Sequence, residues 1–534
     1  MRISMRSVGV VLVLMVVAAL GTPPASGAAA SGGVLAYVIL GEKGHAMKGE
    51  TVPIARLVLE HGQGFKDISC ESLTMSAARG QSVKLATRPN PNPTELPVTL
   101  CEAVIPFAQT HQSRGESWTV SQPGGKSFPV QLPTVSRTPE TTLILGDTGC
   151  RDTSAQKCAD KDAQWPFPTV MASQMARQLQ SREKPAVIIH VGDFKYRGKK
   201  DDTGTPKKWT NWKADFFQPM QGSPDGDNLF AMAPWVVARG NHELCTTMGN
   251  NGDGWYYLLD PTSSVAGDSP QQVAENSCKG AGDGMTRPYR LDFANGLSLV
   301  VADTANLYES REVCDADRQR LVKWYQEIER HFKGSGRHAW LVTHKPTWAV
   351  LGNCGKPGFS NATPQAAVEA LDHHALPENL QLVLAGHKHL YTSMDVNPRE
   401  EKRRILELVS GNGGVQLNTK AYSGCLKYNG GKHVKDFYAE ARGMSRFGFI
   451  VGKLEGGQSV AGWKLQVKAF KSVSGGGDWG GLVTAEVCEF PVKTGKPACE
   501  IKEDALFARP CSSCDKVDDP DKDAKNCQSG EDDD

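Results

Sequence analysis

The 534-residue chain carries almost no surplus of charge: 60 Lys and Arg stand against 59 Asp and Glu, for a net charge of +1. Nucleic acid or an anionic membrane surface is bound through a clustered basic excess, and the overall balance points to neither partner. Long apolar runs are equally scarce. Val8 to Leu20, broken only by Gly9, is the one lipid-seeking stretch, and no later segment is apolar enough to span a bilayer. No cysteine lies near residues 23–28, so a lipid has no attachment point there.

That single run has the build of an export signal. Arg2 and Arg6 precede it, it is short for a membrane span, and Ala25-Ser26-Gly27-Ala28 offers the small residues of a cleavage site. We therefore expect residues 1–27 to be a signal peptide, a secreted or periplasmic location, and no membrane anchor after cleavage; a retained anchor is the alternative. Export makes sense of the fourteen cysteines, an even number in a chain bound for an oxidising compartment. Cys70 and Cys101, Cys150 and Cys158, Cys245 and Cys278, and Cys488 and Cys499 are near neighbours. Local bridges between them fit this reading, although spacing leaves the connectivity open. Cys511-Ser512-Ser513-Cys514 has redox or zinc spacing but lies in a polar tail without a βαβ context. It reads as structural disulfide cysteines, with Cys527 as one candidate partner.

The length accommodates a large catalytic domain plus a smaller one. From about 34 to 134, short β-rich runs such as Val34 to Leu40, Val52 to Leu59, Val98 to Ala103 and Trp118 to Ser121 are separated by Gly, Pro and Asn. This predicts a small β-sandwich-like domain with its linker over 28–138, with no helix of convincing period. The rhythm then changes. Apolar strands recur at Leu143–Leu145, Val187–Val191, Trp235–Ala238, Leu299–Ala302, Trp340–Val342, Leu382–Ala385 and Ile405–Val409. Helical stretches fall between some of them, the clearest carrying Leu321, Trp324, Ile328 and Phe332 on one face. Strands alternating with helices predict an α/β domain over 139–508, with its chemistry on loops at the strand ends. Phe447–Val451 and Trp463–Phe470 read as closing strands. Residues 509–534 form an acidic, cysteine-containing tail predicted to be disordered.

Five of those strand ends carry possible metal ligands: Gly146-Asp147-Thr148-Gly149, Gly192-Asp193-Phe194-Lys195-Tyr196, Gly240-Asn241-His242-Glu243, Thr343-His344 and Gly386-His387-Lys388-His389. Taken singly each is weak, because Asp in a Gly-rich turn is usually a turn residue and a strand-end His is usually a satisfied core histidine. Together and in order they supply two Asp, an Asn amide, three His and a Tyr, with a further His beside the Asn. Two metals a few ångströms apart need such a set, including a carboxylate to bridge them. No thiol is included, so the set suits Fe, Mn or Zn.

These five blocks resemble the calcineurin-like metallophosphoesterases and, within them, the purple acid phosphatases, whose pattern is GDxG, GDxxY, GNH(D/E), VxxH and GHxH. Only the fourth departs, reading Leu341-Val342-Thr343-His344. The resemblance covers roughly residues 140–470, includes Ser410-Gly411-Asn412-Gly413-Gly414, and implies two packed mixed β-sheets flanked by helices (α-β-β-α). It implies that Asp147, Asp193, Tyr196 and His389 hold a first metal, Fe(III), and that Asp193, Asn241, His344 and His387 hold a second, Fe, Zn or Mn. Ordinary members open with D-x-H. Here Gly149 stands in place of that His, and the resemblance implies that the phenolate of Tyr196 replaces it. His242 would act on the substrate phosphate or the leaving group, with Glu243 orienting it.

The implied function is an exported phosphoesterase, most simply a phosphomonoesterase, acting on a phosphorylated small molecule with metal-activated water. A phosphodiesterase or nucleotidase would use the same site. An exported binding protein that has lost catalysis is the alternative of another class, and it predicts eroded ligands. Specificity loops are expected in 195–234, 244–287 and 348–374. In the first of these, Lys199, Lys200, Lys207 and Lys208 could steer an anion or simply be solvated.

Overall fold

The computed structural model describes residues 33–518 apart from short internal stretches, the longest being 198–207, 308–314, 430–436 and 473–480. The signal segment 1–27, Cys314, Lys199, Lys200, Lys207 and residues 519–534 lie outside the described residues. All seven expected strands of the α/β region form, as Thr141–Leu145, Ala186–His190, Trp235–Val237, Leu297–Val301, His338–Val342, Leu380–Ala385 and Ile405–Ser410. They divide between two large sheets. Thr141–Leu145, Ala186–His190 and Trp235–Val237 are parallel neighbours in an 11-stranded sheet. His338–Val342, Leu380–Ala385 and Ile405–Ser410 are parallel neighbours in a 9-stranded one.

Alternation of side chains along these strands explains the layering. Ile144, Val187 and Ile189 point from the first sheet into one apolar core with Trp340, Val342, Leu382 and Leu384 of the second. The intervening residues Leu143, Leu145 and Ile188 face outward onto the helix Ala172–Gln180 and the aromatic cluster of Trp212, Phe216 and Phe217. On the far side, Val300, Leu341 and Val383 meet Leu321, Trp324, Ile328 and Phe332 of the helix Asp315–Phe332. Strands buried on both faces must be apolar throughout, which is why they read as continuous runs in the sequence. The result is the expected α-β-β-α stack.

The N-terminal region is all-β as predicted, but it is not a separate sandwich. Val34–Glu42 pairs in parallel with Trp235–Val237, and Thr51–Glu60 and Val98–Val104 continue the same 11-stranded sheet outward. A four-stranded sheet, 74–132 in span, packs beside it through Met75, Trp118 and Val120, and the Cys70–Cys101 disulfide ties the two together. The short β-rich runs gave no sign of this merger because an edge strand's partner is not written in its own period.

The tail also differs from expectation. Cys511 bonds to Cys354, Cys514 bonds to Cys425, and Asp515–Asp518 adds a parallel strand beside Ser423–Asn429. Two covalent tethers outweigh the loop entropy that a polar composition alone would favour. The four local cysteine pairs are all bridged, and none of the cysteines among the described residues is free. Among those residues no helix is long and apolar enough to cross a membrane.

Candidate metal centre

The carboxyl ends of the two parallel strand triplets meet, and all nine residues singled out from the sequence come with them. Asp147, Asp193, Tyr196, Asn241, Glu243, His344, His387 and His389 are buried, and His242 is half-buried at the edge of the cluster. Four of them, Asp147, Asp193, His387 and His389, have left-handed backbone with φ of 56°, 57°, 73° and 46°. Residues with a Cβ adopt this region at a cost of order 1–3 kcal/mol each and keep it where the surroundings enforce it, most often at functional sites.

The enforcing contacts are visible. The backbone N–H of His387 donates to both Asp147 carboxylate oxygens, at 3.0 and 2.9 Å. Glu243 accepts from the N–H groups of Asp193 and Gly240, each at 3.0 Å, with one oxygen, and from those of Phe194 and Lys195, at 3.0 and 3.2 Å, with the other. Glu243, expected to orient His242, cradles the turn that carries Asp193. Glycine makes the approach feasible: a Cβ on Gly240 would fall 2.1 Å from Asp193 Oδ1, and one on Gly386 would fall 2.4 Å from Asp147 Oδ2.

The donor atoms fall into two groups that share one residue. Asp147, Asp193 and His389 make the first, and Asp193, His344 and His387 the second, with the donor atoms of each group within 4.8 Å of one another. In the first group, Tyr196 Oη lies 3.0 Å from Asp147 Oδ1, 2.8 Å from Asp193 Oδ2 and 3.0 Å from His389 Nε2. A phenol has one proton to give to these three neighbours, whereas a cation among them would engage all four lone-pair atoms. In the second group, His344 Nδ1 lies 2.8 Å from the Val191 carbonyl, which fixes the proton on that nitrogen in the neutral ring. Its Nε2 then faces Asn241 Oδ1 at 2.8 Å and Asp193 Oδ2 at 3.3 Å, while His387 Nδ1 faces the same Asn241 oxygen at 2.9 Å. Lone pairs converging on lone pairs are the donor chemistry of a metal site, and both groups fit one.

The electrostatics of these groups agree. Burial pushes the Asp147 carboxyl well above its usual range, and the Asp193 charge adds to this, against the pull of His344. Burial would raise Asp193 as well, but the imidazoles around it, His344 foremost, hold it well below the carboxylate range. Burial disfavours a charged His344, yet the adjoining Asp193 carboxylate lifts it to about 9. Burial raises Glu243 to about 8, with the Asp193 charge second.

Several supporting residues were not picked out from the sequence. His190 accepts from the Gly192 N–H through Nδ1 at 3.2 Å and so presents Nε2–H to Thr148 Oγ1 at 3.0 Å, tying together the turns of Asp193 and Asp147. Thr304 Oγ1 accepts from the N–H groups of His344 and Lys345, at 3.0 and 2.8 Å. A histidine ending an apolar strand next to a Gly-Asp pair was the available signal for the first; a lone threonine gives none. Of the loop lysines, Lys208 is bound to Glu95. Ser410–Gly414 does belong to the site: the N–H groups of Gly413 and Val415 bond the carbonyls of Gly146 and Asp147 at 3.1 and 2.9 Å.

Position 149 can be read directly. A Cβ there would lie 2.8 Å from the Phe194 carbonyl oxygen, 2.9 Å from Lys195 Cα and 2.9 Å from the Tyr196 ring. A side chain at 149 would press on the backbone of Phe194 and Lys195 and on the Tyr196 ring. Gly149→Ala should lower stability by about 1–3 kcal/mol, because backbone atoms must shift to admit the methyl. Chemical denaturation measures this, and an unchanged midpoint would show that the space is free.

The comparisons with known proteins bear on this geometry. Residues 141–391 match the family model described as calcineurin-like phosphoesterase. Among solved structures twelve chains match, including the purple acid phosphatase from yellow lupin (Lupinus luteus) seeds. That alignment has a TM-score of 0.50 at 12% identity and covers 82% of this chain and 72% of the lupin enzyme. At such identity the likeness speaks for the fold. Compared by sequence with curated proteins, the chain matches none significantly. Residues 141–391 thus form a calcineurin-like phosphoesterase domain, and the chain has the fold of a purple acid phosphatase.

Proposed function

We propose that this protein is an exported phosphomonoesterase whose two metals share Asp193. The observation that carries this reading is the pair of donor groups with Asp193 in common. Asp147, Asp193, Tyr196 and His389 would hold Fe(III), and Asp193, Asn241, His344 and His387 would hold Fe, Zn or Mn. When bound, the two cations supply Lewis acidity and an acidified water for attack on phosphorus. An anionic phenolate next to two carboxylates favours a trivalent cation at the first position. Six disulfides among the described residues support export to an oxidising compartment. A fold kept only for binding would have no reason to hold four ligand residues in left-handed backbone.

The chain's own chemistry centres on His242. Its ring lies against the Tyr196 ring, with centroids 4.1 Å apart, and its backbone N–H donates to Asp193 Oδ1 at 3.0 Å. It belongs to neither donor group and stands at the half-buried edge where a phosphate ester would arrive. Hydrolysis forms a P–O bond to water and breaks the P–O bond to the alcohol. His242 gives its proton to the departing alkoxide and regains one from the attacking water, which balances the step.

Three outcomes follow for the purified, metal-loaded enzyme. His242→Ala should lower kcat on an alkyl phosphate by about 10²–10⁴-fold with both metals retained, as measured by elemental analysis alongside turnover; loss of the metals would instead make His242 a ligand. Fe(III) bound to a phenolate absorbs visible light, so the wild-type protein should be coloured, and Tyr196→Phe should be colourless while its circular dichroism is unchanged. Colour persisting in Tyr196→Phe would remove Tyr196 from the iron. In the same assays a phosphate monoester should turn over faster than the matched diester, and the reverse order would assign the site to diesters.

A further inference from the structure

Asn251 lies outside every motif used so far, is fully buried, and joins the two loops on which the site's chemistry turns. Its side-chain Nδ2 donates to the carbonyl of His242 at 2.9 Å and lies 3.4 Å from the carbonyl of Lys195. Its Oδ1 accepts from the ammonium of Lys195, a side chain with no solvent exposure, lying between Asp193 and Tyr196 in sequence. The His242 peptide is therefore gripped on both sides: the bridging carboxylate takes its N–H, and Asn251 supplies a donor to its carbonyl.

Asn251 is itself fixed from behind. The Cys245–Cys278 disulfide presses on the next residue, where a Cβ on Gly252 would lie 2.5 and 2.7 Å from the two sulfurs. The Asn251 carbonyl opens the helical segment through Trp255 N–H at 3.1 Å. That segment is pinned to the N-terminal strands by Arg88 on the Tyr256 carbonyl at 2.6 Å and Arg56 on the Leu258 carbonyl at 2.7 Å. A buried amide with its oxygen on one catalytic loop and its nitrogen on the other transmits this rigidity to both.

We propose that Asn251 is a positioning residue that holds His242 in line with the leaving group, acting through the His242 carbonyl. The proposal rests on the reading of His242 as the proton donor. A donor displaced by an ångström loses its effect chiefly where proton transfer matters most, with poor leaving groups, and such a displacement is worth up to about 10²-fold.

Asn251→Asp isolates the interaction. The carboxylate still accepts from Lys195, so the buried ammonium keeps a partner, but it offers no donor to the His242 carbonyl. In the metal-loaded, full-length enzyme, kcat on an alkyl phosphate should fall about 10–10²-fold, while kcat on p-nitrophenyl phosphate, whose leaving group needs no proton, changes about threefold or less. Metal content and colour should stay at wild-type levels. Adding His242→Ala to Asn251→Asp should cost no more than His242→Ala alone, since the two residues would act as a unit.

Multiplicative losses in the double variant, equal losses on both substrates, or metal loss in Asn251→Asp would each overturn the proposal. A wild-type kcat in Asn251→Asp would do the same. His242→Ala serves as the reference for the underlying reading. If that variant alone discriminates between the two substrates and Asn251→Asp does not, only the positioning role fails. If His242→Ala fails to discriminate, the donor assignment fails and the proposal falls with it.

Discussion

The architecture turns on one carboxylate. Asp193 stands where both donor groups overlap, and its backbone is held at φ 57° in a turn that would relax if left alone. Glu243 prevents this by accepting four backbone N–H groups, two of them from Asp193 and Phe194. A carboxylate cradled by amide donors is the strong form of the hydrogen bond, and burial removes water as a competitor. The cost is that burial, with the nearby Asp193 charge adding to it, pushes Glu243 up to about 8. A cation on Asp193 offsets that repulsion. Folding and metal loading are thus coupled through the same few residues.

Around this point the fold brings together what neither sheet could supply alone. One parallel triplet contributes Asp147, Asp193 and Asn241, all oxygen donors, and the other contributes His344, His387 and His389, all nitrogen donors. Parallel strands end together, so three ligand-bearing loops of the first sheet and two of the second emerge on one edge, and packing the two edges face to face completes the mixed O/N set. The N-terminal strands extend the same sheet and buttress it. Arg56 and Arg88, both on buried Glu102, reach across to carbonyls of residues 256–262. The all-β region therefore serves the catalytic loops from behind.

Much of this was legible in the sequence because the site is local in sequence: each ligand lies within a few residues of an apolar strand and beside a glycine. The loss at Gly149 and the gain at Tyr196 could be read together, and the structure places the Tyr196 ring and its preceding backbone against position 149. The helix Asp315–Phe332 was legible from its 3.6-residue period. What escaped was everything non-local. The parallel pairing of Val34–Glu42 with Trp235–Val237 joins segments about two hundred residues apart, and no periodicity encodes it. The tail's tethers to Cys354 and Cys425 were hidden for the same reason, as were the duties of Glu243, His190 and Asn251, which act in large part on backbone groups that carry no residue identity.

The central claim is that one carboxylate serves two cations, and anomalous diffraction from crystals of the metal-loaded protein tests it most directly. Data collected on either side of the iron and zinc or manganese edges should show two peaks about 3.5–4 Å apart, with Asp193 between them. The peak on the Tyr196 side should carry the iron signal. A single peak, or two peaks of which only one contacts Asp193, would contradict the account.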